Sequence, residues 1–405
     1  MFTRTWCVAA LLIVSVPAAS QTVLPEAEAL ARLSADSPRA RAIRAGVDVA
    51  RAEILSAGRW PNPRLTIDRE SVAGVSETLT TVLQPLPVTG RRMLERSAAA
   101  AAADATASRA DDDVRRLRAD LRLVYAELAA AQVRERELAR SGERLTELAR
   151  IVARREAAGD AAAFDTRRAE REVLDVAADR ALAAADRARA QARLAGFFSA
   201  STDWSTLVAA DPAVGARDVP PLDALVAQAE RSRGQLSALQ KDRDAARLAL
   251  QAADRRRIPE PEVLAGTKSS TASGGDVGSV IGVQATLPLF DRGRPERAVA
   301  QARANQASAQ LDAFRVVLRA EIAAARAAAV ERRRAAEAYR TSAAVNAGEV
   351  ERIAQVSYDA GERSILELLD AYRLGASART RQAALDLAVR QAEIELGFAT
   401  GWEER

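Results

Sequence analysis

From Arg91 to Ala158 the chain has no proline and one glycine, Gly142, and alanine and arginine make up much of the rest. Such a stretch has little choice but helix, because alanine gives up no side-chain entropy there and arginine gives up little. At 1.5 Å per residue it would be roughly 100 Å long. A second stretch of the same kind covers 295–360. Apolar residues run at Val114, Leu117, Leu121, Val124 and Leu128, and again at Leu311, Phe314, Leu318, Ile322 and Ala325. Their spacing of three and four predicts a coiled-coil-like seam.

The two stretches belong to a plan repeated at a spacing of about 200 residues. WPNPRL (60–65) recurs as IPEPEV (258–263), and QPLPVTGRR (84–92) as LPLFDRGRP (287–295), with Pro85 opposite Pro288 and Gly90 opposite Gly293. LRADL (117–121) recurs as LRAEI (318–322), and REAAGDAAAFD (155–165) as YDAGERSILE (358–367), with Gly159 and Gly361 in register. Residues 21–205 and 206–405 are therefore expected to be two structural repeats. Each opens with a helix, over 24–57 and 222–256, that a Pro-x-Pro element ends. After the long helix and its glycine, a returning helix of about 35 residues closes each copy.

Between the first helix and the long one, each copy has about 25 residues poor in helix formers, with a Gly/Ser-rich middle. Ile281, Val283, Ala285, Leu287 and Leu289 alternate at period two. The expectation is one β-hairpin at about 61–89 and one at about 262–290, with strands of about ten residues, the length of a transmembrane β-strand. Four strands cannot close a barrel, whose smallest known form has about eight. Two or more chains would have to share one, unless the hairpins are soluble caps on a helical bundle. SGGDVGS (273–279) is then a hairpin turn, not a phosphate loop.

Composition narrows the function. Aromatic residues are 4%, charged residues 28%, and the net charge is +4. No basic block with interleaved aromatics suggests nucleic acid. MFTRTWCVAALLIVSVPAASQ at the start reads as a signal peptide over 1–20, its apolar run too short to span a bilayer. Cys7, the one cysteine, lies before that run, and there is no histidine. The mature chain is expected to hold no thiol, no cofactor and no metal site, and to be no enzyme. Asp111–Asp113, followed by Arg115 and Arg116, is expected to be a solvated helix face. Trp60 is expected at a membrane interface or at the junction between helix and barrel.

The tip YDAGERSILELLDA (358–371) admits two compatible readings. Gly361 ends one helix in a left-handed conformation, and Ser364 with Glu367 forms a capping box for the next. Arg363, Glu367 and Asp370, four and three apart, also lie on one helical face. Repeated around an axis, their carboxylates would form a ring that favours cations.

With this plan, and the AG-x5-(D/E) element in both copies, the chain resembles outer-membrane efflux channels of the TolC type over about 22–402. PNPRLTIDRES (61–71), LQPLPVTGRR (83–92) and LPLFDRGRPERAVAQA (287–302) look most like the heavy-metal (CzcC- and CusC-like) branch. The resemblance implies a mainly α fold with a β-barrel portion. It implies a homotrimer giving a 12-stranded outer-membrane barrel that continues into a long periplasmic α-helical barrel. It implies a passive conduit in a Gram-negative outer membrane, served by a periplasmic adaptor and a proton-driven inner-membrane RND pump, with outer-membrane lipid around it. Heavy-metal cations are the expected cargo; an organic-solute channel of the same family is the alternative, and a periplasmic adaptor a weaker one. On the family's pattern the periplasmic gate would be Tyr358, Arg363, Glu367, Asp370 and Asp165, with Asp165 accepting a hydrogen bond from Tyr358. Phe164 departs from it, standing where the family has a small hydroxyl residue to engage the arginine. Gly159 and Gly361 would be the tips that meet the adaptor.

Overall fold

The computed structural model describes residues 22–210 and 218–402; the signal peptide expected over 1–20 lies outside them. The first half contains β1 (Thr22–Leu24), α1 (Glu26–Asp36), α2 (Pro38–Ala57), β2 (Arg64–Val72), β3 (Val75–Pro85), α3 (Arg91–Ala158), α4 (Ala163–Ala195) and β4 (Leu207–Ala209). The second contains α5 (Leu222–Ser232), α6 (Gly234–Arg255), β5 (Pro261–Ser270), β6 (Asp276–Ala285), α7 (Arg294–Ala338), α8 (Val345–Asp359) and α9 (Ile365–Thr400).

The opening helix expected in each half is in fact two. Between α1 and α2, Ser37 is extended and Pro38 takes the first helical position, where its missing N–H removes no bond. Between α5 and α6 no proline stands; Arg233 is extended (φ −76°, ψ 111°) and buried. Gly234 allows the close approach there, since a Cβ on it would overlap the carbonyl oxygen of Ser108 on α3. Asp112 completes the joint by accepting the Gly234 N–H at 3.1 Å. Asp112 is therefore buried rather than solvated, a correction to the expected character of the acidic run.

The hairpins β2–β3 and β5–β6 join through β3 and β5 into one antiparallel sheet of order β2-β3-β5-β6. Residues opposite each other share a face. Leu65 stands opposite Val82, Val82 opposite Ala265, and Ala265 opposite Ile281; Val263 stands opposite Val283. On that face Leu65, Ile67, Val82, Ile281 and Val283 are all exposed, with Arg69, threonines and serines toward the hairpin turns. The other face carries Asp68, Glu70, Glu77 and Lys268, with Lys268 and Glu77 paired at 2.6 Å. Past the sheet the chain makes a tight turn in each half, Val88 N–H to Leu86 O and Leu289 N–H to Leu287 O, each at 2.9 Å. The turns centre on Pro87 and Pro288, so the proline opposite Pro288 is Pro87, not the Pro85 read from sequence.

The second long helix, expected unbroken over 295–360, holds a π-helical turn at Tyr339–Ala344. Thr341 and Ser342 there donate their hydroxyls to the carbonyls of Glu337 (2.9 Å) and Ala338 (2.5 Å), in competition with the backbone ladder. The seams hold: Leu121 and Leu128 on α3 and Leu311, Leu318 and Ile322 on α7 are 0–2% exposed. Four apolar clusters lie along the helices. One includes the parallel pair β1–β4, which three-residue strands gave no period to foresee. Tyr125 ties that pair to α3, donating to Leu24 O and accepting from Ala210 N–H, both at 2.8 Å.

Candidate functional site

The site is the end of the helical arms, where α3 turns into α4 and α8 into α9. Gly159 is left-handed (φ 87°), and Asp160 N–H reaches back to Arg155 O at 2.8 Å. Gly361 is left-handed (φ 78°), and Glu362 N–H reaches back to Ser357 O at 2.9 Å. Both turns satisfy carbonyls that a helix end leaves open. A Cβ added at either glycine would meet nothing within 4 Å, so both tips face open space. α9 then starts on the expected capping box: Ser364 Oγ accepts the Glu367 N–H (3.4 Å), and Glu367 Oε2 accepts the Ser364 N–H (3.2 Å). Under the turns, Leu145 and Val152 of α3, Ala169 of α4, Tyr358 of α8, and Leu368 and Leu369 of α9 pack as one cluster. A fully buried leucine contributes about 1.5–3 kcal/mol, so the cluster outweighs the caps in holding the tip together.

The expected gate residues do come to this end, but they are not all joined. Arg363 pairs with Glu367 along its own helix at 3.2 Å. Asp370 pairs with Arg168 of α4 at 3.2 Å. Tyr358 is 5% exposed, and the Arg155 guanidinium lies 4.8 Å from its ring centre. Its buried hydroxyl has no hydrogen-bond partner among the described residues, so the expected bond to Asp165 is absent in this conformation. The Thr166 hydroxyl, one residue on from Asp165, is buried and unpaired as well. The reason is packing: Tyr358 belongs to the apolar cluster, while Asp165 stands in the first turn of α4.

A second bridge, Arg373 to Glu172 at 3.3 Å, lies beside the first and runs with reversed polarity. Arg168 and Glu172 are four apart on α4, and Asp370 and Arg373 three apart on α9. Opposite charges at helical spacing on both helices were the legible signal for this ladder. Further from the tip, the nearly buried carboxylate of Glu351 receives both guanidinium nitrogens of Arg379 (2.9 and 3.0 Å) and one from Arg144 (3.3 Å). Arg379 also meets Glu137 at 3.1 Å, which joins α3, α8 and α9. The bond to Glu351 holds the Arg379 guanidinium above its ordinary pKa, against burial. Burial pushes the Tyr372 phenol up. Gly375 makes room for the network, because a Cβ there would overlap the Glu351 carboxylate.

Among the described residues no group of three or more histidines, cysteines, aspartates and glutamates is placed to hold a metal, and no helix is long and apolar enough to cross a membrane. The geometry is that of an exposed, charged tip on paired helical arms, with a four-stranded sheet elsewhere on the chain.

Residues 225–402 match the family described as outer membrane efflux protein. No curated protein matches the chain. Among solved structures it is similar to the outer-membrane channel OprN, at 19% identity and a TM-score of 0.79 over 93% of this chain and 89% of that one. It is similar to CusC, at 16% identity and 0.76 over 93% and 91%. It is also similar to the outer membrane protein VceC of Vibrio cholerae, at 16% identity and 0.75 over 93% and 96%. Residues 225–402 thus resemble the outer membrane efflux proteins, and the fold of the described chain is that of solved outer-membrane channels. Proteins of this family are channels and not enzymes.

Proposed function

We propose that three copies of the chain share one 12-stranded barrel, within the even strand numbers known for bacterial barrels of ~8 to 26. Their helices continue as a periplasmic tunnel, and the whole is the passive outer conduit of a tripartite, proton-driven efflux system. The observation that carries this is the sheet: one face exposes Leu65, Ile67, Val82, Ile281 and Val283, the other bears Asp68, Glu70, Glu77 and Lys268, and both edges are unpaired, which suits a segment of a barrel wall between lipid and water. The halves 21–205 and 206–405 are read as two repeats of one unit, each giving a hairpin to the wall and an arm to the tunnel. Gly159 and Gly361 are read as the tips that meet a periplasmic adaptor, which an inner-membrane RND pump drives.

In this reading Tyr358, Arg363, Glu367, Asp370 and Asp165 form the gate. The Arg168–Asp370 and Glu172–Arg373 bridges take the place of the arginine lock that Phe164 leaves without a hydroxyl. The orphan hydroxyls of Tyr358 and Thr166 then find partners when the helices shift. Heavy-metal cations are the proposed cargo, supported by the carboxylates at the mouth and by the proline-centred segments at 61–71, 83–92 and 287–302. Planar-bilayer recording of Glu367→Gln with Asp370→Asn tests the gate. Glutamine keeps the capping box, so a changed signal reports charge and not unfolding. Conductance should rise and cation preference fall several-fold; no change in either removes the two acids from the gate. Growth of a deletion strain tests the cargo: sensitivity to metal salts is expected, and sensitivity to organic compounds alone would overturn it.

A further inference from the structure

The helix end of the second hairpin has a corner that conduction does not use. α6 ends and α7 begins side by side there, with Arg256 bonded to Glu296 at 3.1 Å and Arg297 to Asp254 at 2.7 Å. Gly293 fits against Arg256, whose Cβ would lie 3.1 Å from a Cβ at 293. Around this corner Arg255, Arg257, Arg292 and Arg294 are exposed, and none has an ion pair among the described residues. Immediately before them in the chain, Leu287 and Leu289 are 65% exposed and Phe290 98%. These follow on Ile281 and Val283, the exposed apolar face of β6.

The first hairpin's corner is different. Arg91 there is held by Glu95 and Glu260, and Arg92 by the carbonyl of Arg59. Arg59 and Arg96 at that corner are exposed without an ion pair among the described residues, so the second corner is set apart by having four such groups beside its exposed leucines and phenylalanine.

Leucine and phenylalanine at the rim of a lipid-facing sheet, with guanidinium groups beside them, fit the boundary between acyl chains and headgroups. The apolar side chains enter the boundary, and arginine matches a phosphate with two donors. We propose that this corner binds anionic phospholipid headgroups of the periplasmic leaflet and fixes the barrel's depth. The proposal rests on reading the sheet as a barrel wall. Each arginine near an anionic surface strengthens association by roughly fivefold, so four of them, repeated in each protomer, should select lipid by charge.

The test uses the full chain reconstituted in phosphatidylcholine vesicles, with trace spin-labelled phosphatidylglycerol or phosphatidylcholine. Electron paramagnetic resonance reads how much of each label the protein immobilises. The wild type should hold phosphatidylglycerol several-fold more strongly than phosphatidylcholine. The variant Arg255→Gln, Arg257→Gln, Arg292→Gln, Arg294→Gln should hold the two alike while immobilising phosphatidylcholine as before. Absence of preference in the wild type, or its survival in the variant, overturns the proposal and leaves the barrel intact. If the variant fails to insert, the wild type at high salt decides, since screening must abolish the preference. A wild type that immobilises neither label has not entered the bilayer, and the barrel reading falls first.

Discussion

Two glycines of the same helical region show how differently one residue type can be required. Gly361 needs its positive φ and has space around it; Gly375 has ordinary helical φ and no space. Gly361→Ala should therefore cost only the left-handed backbone, about 1–2 kcal/mol. Gly375→Ala must push the Glu351 carboxylate off Arg379 and Arg144, and the strain of overpacking alone is about 1–3 kcal/mol. The lost ion pairs come on top, so denaturation of the purified protein should find the Gly375 variant the weaker. Equal stabilities would mean the network relaxes freely. Gly361 was legible because a glycine between two helical patterns has few other uses. Gly375 was not, because its requirement comes from a side chain on another helix. Asp112 shows the same limit: its neighbours in sequence suggested a solvated face, and only the break at Arg233 explains its burial.

At the scale of elements, α3 was readable from end to end since nothing in its sequence competes with helix. The split between α1 and α2 was readable in principle from Pro38, whereas the split between α5 and α6 depends on contact with α3. The bridges between α4 and α9 are another tertiary product of a local pattern. Arg168 and Asp370 keep side-chain exposures of 34% and 63%, so their pair is worth only about 0.2–1 kcal/mol. A contact of that size can break in a gating movement and reform. Reversing one charge, by Arg168→Asp or Asp370→Arg, should loosen the tip and raise hydrogen exchange in the first turns of α4 and α9. Making both changes together should restore the protection. If the double variant stays as loose as either single one, the pair is incidental to the tip.

For the whole molecule, the sheet is the decisive element and also an incomplete one. β2 and β6 each leave an edge unpaired, and an exposed edge recruits another strand. Copies of the same sheet are the natural partners, so light scattering in detergent should give three times the mass of one chain. A stable monomer would contradict the shared barrel. Both hairpins were legible through period two and strand length, but the order β2-β3-β5-β6, which sets the apolar faces on one side, needed coordinates. The π-helical turn at Tyr339–Ala344 has a consequence of its own at this scale. The buried positions Leu121 and Leu128 of α3 match Ile322 and Ala329 of α7, whereas beyond the turn Leu145 and Val152 match Ala347 and Ala354, one residue further on, so the turn takes up an extra residue that an unbroken helix would show as a rotation of about 100°. The two arms thus present the same buried face at their tips although one is a residue longer, like two keys cut from one blank, and they differ in the side chains they expose. In the proposed ring of three chains the six ends would alternate between two kinds. Anything that grips that ring would find threefold, not sixfold, symmetry, and the two kinds of seat could be occupied with different strengths.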